Sequence, residues 1–484
     1  MEKLNEQDQE SSTGIPDTTS GLAQRLDSRL DFPCLDGVRA LAAILVLINH
    51  SSAFASGFDS SWSPEPVRIV TGLFGRIGVA TFFVVSGFLL YRPFVLAHLS
   101  GSGFGGAGRF WVRRFARILP GYWIALLGAI ALGSAQFLNA GVSGYLTAFG
   151  LAQNYRLGGM IFLGIAVAWT LVIEASFYIF LPGFAWVMSR FGRSDRQHAL
   201  RTQIIGLSTL VLVALVTKSY WLVYLQSNVE LRRTWFPLSQ LGFWLPAYLD
   251  WFAVGMLLAL CWAWRATGGR LPRVISIFAE HSWFSWLVAA GFTLALTRIG
   301  IPLRPFAEFG PMTGFLYDEF ALCVGAFLVL PALFAGPSPG MIRRMLASRL
   351  AVFLGTISFG IYLWNATILD FVYRREPLGG GGSWFLYSAM SLMATLIISY
   401  VVFVLAERPI RDLAHKWSGS SRLGSSLNAK PSFVIEIGAE QNRVETWVEP
   451  RDSSRVSDAA IIAGTFALLL LLSIGLPSFR ALFA

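Results

Sequence analysis

The chain alternates long apolar stretches with short polar ones, a pattern that predicts membrane-spanning helices. Ten stretches stand out: Leu35–Ser52, Val67–Leu90, one starting near Ile118, Ala168–Met188, Ile204–Thr217, Pro246–Trp264, Trp283–Leu296, Leu316–Phe334, Ala351–Phe371 and Trp384–Leu405. Pro120 falls in the first turn expected for the third, where its missing N–H costs nothing. The stretch Gly144–Val167 is apolar but broken by glycines and fits a re-entrant segment as well as a span. An eleventh apolar stretch, Ala459–Leu476, lies near the end of the sequence. The fold class expected is all-α: a polytopic transmembrane bundle of about ten helices plus an eleventh C-terminal helix.

The polar stretches divide the chain. Residues 1–30 are polar with no apolar signal-peptide core and read as a disordered cytoplasmic tail. Residues 31–416 form the membrane domain, 417–458 a polar linker, and 459–476 the additional helix. Arginines fill alternate connections. Arg92, Arg109, Arg113, Arg114 and Arg117 are read as one loop without an acid, and Arg190, Arg193, Arg196 and Arg201 as the next. Arg265, Arg270 and Arg273, then Arg343, Arg344 and Arg349, then Arg408, Arg411 and Lys416 follow after alternate helices. The positive-inside rule then sets the N-terminus in the cytoplasm and Ala484 outside, although Arg232, Arg233, Arg298 and Arg304 fall on the outer side.

Composition agrees. Of 484 residues 55% are hydrophobic and 14% charged, and the mean hydropathy is +0.58, which excludes an ordinary soluble domain. The net charge of +10 sits in loops between apolar segments, so a nucleic-acid partner is not expected. Cys34, Cys261 and Cys323 are scattered, without metal-ligand or disulfide spacing. Gly101, Gly103 and Gly106 match GxGxxG but follow a membrane helix, not a strand, and read as a flexible loop, as does the GGGGS of Gly379–Ser383.

A few polar residues interrupt the apolar segments. Arg39 and His50 lie eleven positions apart in the first, about three turns, so they share a helix face about 16 Å apart along the axis. Ionisable groups at that depth are functional candidates; the bland alternative is a snorkelling arginine and a helix-bridging histidine. Arg114 and Arg117, three apart, suit a clamp for phosphate or carboxylate, or serve only as topogenic charge. Glu174, five residues after Trp169, needs a partner that Arg39, His50 or Arg117 could supply; equally it could be half of a structural ion pair. Asp250 reads as interfacial, and Ser86 as a packing residue beside Gly87. No Gly-x-Ser-x-Gly elbow occurs, so His50 reads better as a general base than as part of a nucleophilic triad. A transporter with a His50/Glu174/Arg39 relay is the competing class.

The segments LDGVRALAAILVLINH, FFVVSGFLL, RRFARILPGYW, AWTLVIEASFYIFLP, LDWFAVGM, ISFGIYLW and ERPIRD together resemble the acyltransferase 3 family of integral membrane O-acyltransferases, over about Asp31 to Arg411. The resemblance implies transfer of an acetyl or other short acyl group to a hydroxyl of a carbohydrate, glycolipid or similar envelope or secondary-metabolite acceptor. Acyl-CoA would be the donor substrate, with no permanently bound cofactor and no metal. It implies a multi-pass protein of a bacterial plasma membrane. His50, Arg39 and Glu174 would be catalytic, with Arg114, Arg117 and Trp169 binding substrate. After IYLW many relatives have a histidine where this chain has Asn365, which points away from catalysis there or toward an unusual acceptor.

Overall fold

A computed structural model describes residues 32–58, 65–101, 106–135, 137, 141–156, 162–192, 195–225, 240–299, 310–334, 340–375 and 383–417. The expected tail at 1–30, the linker beyond Trp417, the eleventh helix, the arginines 232, 233 and 304, and most of the GGGGS stretch lie outside these residues.

Among the described residues the structure is helical and no β-strand runs. In chain order the helices are α1 (Pro33–Phe58), α2 (Glu65–Leu99), α3 (Gly108–Ala131), α4 (Gly141–Phe149), α5 (Ala168–Arg190), α6 (Arg196–Ser219), α7 (Leu249–Ala266), α8 (Arg273–Glu280), α9 (Ser282–Leu296), α10 (Pro311–Leu333), α11 (Gly340–Leu346), α12 (Arg349–Thr356), α13 (Ser358–Arg375), α14 (Ser383–Val402) and α15 (Arg408–Trp417). All ten expected segments are helical, but they do not make ten equal spans. Among the described residues seven helices are long and apolar enough to cross a membrane, and α12 with α13 makes an eighth only as a pair bent by 65°. α9, at 15 residues, is short for a span, and α3 carries four arginines.

Three expectations need correction. The arginine-rich stretch is not a loop: Arg92 lies in α2, and Arg109, Arg113, Arg114 and Arg117 lie in α3, which begins ten residues before Ile118. Apolar Phe110, Trp111, Val112 and Phe115 alternate with those arginines and give the stretch an amphipathic helical pattern. Pro120 is consequently well inside α3, not in its first turn. The ninth segment breaks at Ile357, where the Ser358 hydroxyl donates to the Gly355 carbonyl at 2.7 Å. The described residues of Gly144–Val167 hold the end of α4, a short 3-10 turn and irregular chain, with no span-length helix among them.

At the centre, α2 is covered by α1 on one side and α7 on the other, with α10 and α5 also against it. Two glycines allow the close approach of α2 to α7. A Cβ at Gly87 would lie 2.2 Å from the Phe252 carbonyl oxygen, and one at Gly255 2.0 Å from that of Val84. Aromatic rings fill the adjoining layer: Phe252 stacks on Phe83 at 4.7 Å and on Phe177 of α5 at 3.9 Å.

α6 runs past Thr217, where apolar patterning predicts its end, and so buries Lys218, 3% exposed. Lys218 pairs with Asp250 of α7, 2% exposed, and with Glu319 of α10 at 2.6 Å. Asp250 is therefore a core residue, not an interfacial one. Beside it, Arg76 donates to Asp318 at 2.7 Å and to the Tyr248 hydroxyl at 3.1 Å. These pairs tie α2, α6, α7 and α10 together, since lipid offers no water to solvate an unpaired charge.

At the opposite end, several arginine-bearing termini meet. His98 of α2 bonds the Phe191 carbonyl just after α5, Arg196 of α6 donates to the Trp264 carbonyl of α7, and Cys34 of α1 donates to the Arg343 carbonyl of α11.

Candidate active site

α1 is one uninterrupted helix and carries Arg39 toward its N-terminal end and His50 deeper in. Around Arg39 a cavity opens between α1, α2, α3, α5 and α13. Arg39, Arg114, Arg117, Glu174, Ser86 and Tyr362 are among its lining residues. Four of the six side chains selected from sequence thus share one cavity, although they come from three helices. Their charges are unbalanced: three guanidinium groups line a space that holds one carboxylate.

The details explain how an apolar bundle tolerates this. Arg39 Nη1 approaches Asp36 Oδ1, one turn earlier, at 3.4 Å. Arg117 acts electrostatically on both Arg39 and Arg114, and Glu174 acts on the same two with the opposite sign. Glu174 Oε1 accepts from the Ser86 hydroxyl at 3.1 Å and from the Tyr178 hydroxyl at 2.8 Å. Ser86 is thus more than a packing residue, while its neighbour Gly87 does make the close helix contact. Glu407, in the ERPIRD segment, adds its carboxylate to the field of Arg117, Arg411 and Arg39. It lies against α3: a Cβ at Gly121, one turn past Arg117, would come within 3.0 Å of Glu407 Oε1.

His50 and Trp169 lie outside this lining. Trp169 packs edge-on against Phe243 at 5.5 Å and tilted against Tyr248 at 6.0 Å, and its carbonyl accepts from Asn154 Nδ2 at 2.9 Å. Its neighbours Thr170 and Leu171 reach the cavity in its place. His50 meets neither Glu174 nor an arginine through a hydrogen bond of its ring; Nδ1 lies 2.6 Å from Asn365 Oδ1 of α13. Asn365 in turn donates to the carbonyl of Tyr362, whose ring lines the cavity and whose hydroxyl is 2.6 Å from Thr170 Oγ1. One turn of α13 therefore separates the cavity wall from the partner of His50.

Sequence reading did not single out Tyr178, Tyr362 or Glu407, took Ser86 for a packing residue, and noted Asn365 only as a departure from the histidine of relatives. Tyr178 alone carried a usable signal, standing four residues after Glu174 on the same helix face. The rest meet the site only through packing between distant segments.

A helical bundle with a polar, cation-lined cavity among membrane-length helices is the architecture of a multi-pass membrane protein. Residues 32–404 match the acyltransferase 3 family model, described as an acyltransferase domain, and the chain belongs to that family. Among curated proteins it is similar to peptidoglycan O-acetyltransferase OatA of Listeria monocytogenes, 23% identical over 403 residues, or 79% of this chain and 56% of the relative. It is also similar to nodulation protein 10 of Rhizobium leguminosarum bv. viciae, 25% identical over 403 residues, covering 78% of this chain and 93% of the relative. The chain thus spans little more than half the length of OatA. No solved structure matches it significantly.

Proposed function

We propose that the protein is a membrane O-acyltransferase that moves a short acyl group from acyl-CoA to a hydroxyl of a carbohydrate-type acceptor. The observation that carries this reading is the shared cavity of Arg39, Arg114 and Arg117, three cations on two helices around a single carboxylate. Such a set suits a polyanion, and the phosphates of CoA fit it. The names of OatA and the family description support acyl transfer and a carbohydrate acceptor.

In this reading the guanidinium groups hold the donor at the cytoplasmic side, where the arginine-bearing helix ends would lie under the positive-inside rule. The N-terminus would share that side. The pantetheine arm carries the thioester along α1 toward His50, about 16 Å further on. His50 takes the proton of the acceptor hydroxyl as its oxygen attacks the thioester carbonyl. The C–S bond then breaks, and the imidazolium returns the proton to the leaving thiolate. Acyl ester and free CoA are the products. Burial limits hydrolysis by keeping water from the thioester. A carrier that moves solute through a His50–Glu174 relay fits less well, because Asn365, not Glu174, receives the ring of His50.

The decisive experiment is release of free CoA by purified protein in detergent or nanodiscs, with and without a hydroxyl acceptor. Acceptor-dependent release is expected. Solute uptake into vesicles with no release of CoA would overturn the reading. Mass spectrometry of envelope glycans, glycolipids and secreted metabolites from cells with and without the gene would identify the acceptor.

A further inference from the structure

The contact between His50 and Asn365 fixes more than a position. Asn365 is fully buried. Its Nδ2 donates to the Ile361 carbonyl at 3.1 Å and to the Tyr362 carbonyl at 2.6 Å. Carbonyl oxygens only accept, so the atom facing them is the amide nitrogen, and the amide oxygen faces the imidazole at 2.6 Å. An amide oxygen cannot donate. The hydrogen in that bond must therefore come from Nδ1 of His50. Which nitrogen of a neutral imidazole carries the proton is set by the bond the other one makes.

We propose that Asn365 is the positioning residue of the reaction: it locks neutral His50 in the Nδ1–H tautomer and leaves Nε2 as the lone-pair nitrogen. This rests on the reading of His50 as general base, but the tautomer can be measured without any turnover. In the reaction, the acceptor O–H bond breaks and its proton passes to Nε2 while the new C–O bond forms. The thioester C–S bond breaks, and Nε2–H gives the proton back to the thiolate. Nδ1–H stays bonded to Asn365 throughout. A neutral amide holds the ring without competing for the proton. Asn365 is one turn of α13 from Tyr362 in the cavity wall, which couples the orientation of the ring to the wall of the proposed donor site.

The test is nitrogen NMR of the full-length protein labelled with 15N-histidine. The chain has five histidines, and the spectrum of His50→Ala identifies the His50 signals by difference. At a pH of about 8, above the ordinary histidine range, wild-type His50 should show a protonated Nδ1 and a bare Nε2. Asn365→Leu should lose that preference and lower kcat about 10²-fold, with KM for the donor little changed. Asn365→Asp, which keeps an oxygen opposite Nδ1 but sets its second oxygen against the Ile361 and Tyr362 carbonyls, should hold the tautomer and recover only part of kcat. If Asn365→Leu does not fold, Asn365→Ala takes its place with the same expectation. Retention of the Nδ1–H tautomer in the leucine or alanine variant would overturn the proposal, whatever the activity. An altered tautomer with unchanged kcat would overturn the positioning role. Undiminished turnover in His50→Ala would instead remove the general-base reading, and the spectra would still decide the tautomer.

Discussion

Ser86 of α2 donates its hydroxyl to Glu174 of α5 at 3.1 Å, and Tyr178 donates to the same carboxylate oxygen at 2.8 Å. The carboxyl group is therefore held by two hydroxyls in the cavity that three arginines line, and the imidazole of His50 bonds Asn365 instead. Glu174→Gln should act through those arginines. The expected result is a raised KM for the donor, with the pH dependence of kcat unchanged. A kcat profile displaced along the pH axis would instead tie Glu174 to His50.

Arg114→Ala and Arg117→Ala should each weaken donor use by about 10-fold or more, the worth of one charge-assisted hydrogen bond, and acceptor use by less. Lysine at either position should rescue poorly, because one ammonium does not reproduce the planar fork. Separate titrations of donor and acceptor check this; a loss confined to acceptor KM would move the clamp to the other substrate.

His50→Ala should lose at least about 10²-fold in turnover per folded molecule, the usual size of a general-base contribution. Activity of the wild type should fall as pH drops through the pKa of the ring, since imidazolium cannot accept the hydroxyl proton. Here protonation removes the reactive form, so the limb lies on the acidic side. A histidine with only a packing role would lower protein yield and leave turnover per folded molecule intact.

Lys218→Met should destabilise the bundle by about 3–5 kcal/mol, because Asp250 would be left buried without its cation and half-buried Glu319 would lose the same partner. Adding Asp250→Asn should restore part of that loss. Unfolding in detergent, followed by thermal or denaturant titration, measures both. Equal stability of Lys218→Met and wild type would show that the cluster contributes nothing to the fold.

The proposed orientation is open to a direct check. In a background without native cysteines, a cysteine replacing exposed Ser100, at the end of α2, should label from the cytoplasm. One replacing exposed Tyr220, just past α6, should label from outside. The reverse pattern would invert the bundle and place the arginine cavity on the outer face.

The sequence alone determined the helical class and where the ten apolar segments lie, and it singled out Arg39, Arg114, Arg117 and Glu174, which the fold brings to one cavity, and His50, which lies outside its lining. Each rests on a local signal: apolar length, helical spacing within one segment, or a charge in a place lipid penalises. It misread the arginine stretch as a loop, because charge density masks amphipathic spacing. Only the tertiary structure decided which polar groups meet. Ser86 and Glu174 are 88 residues apart in the chain, and His50 and Asn365 are 315 apart. Their pairing depends on which faces α2, α5, α1 and α13 turn toward one another. That is set by packing, through contacts such as Gly87 against Phe252, and it leaves no periodicity for a sequence to display.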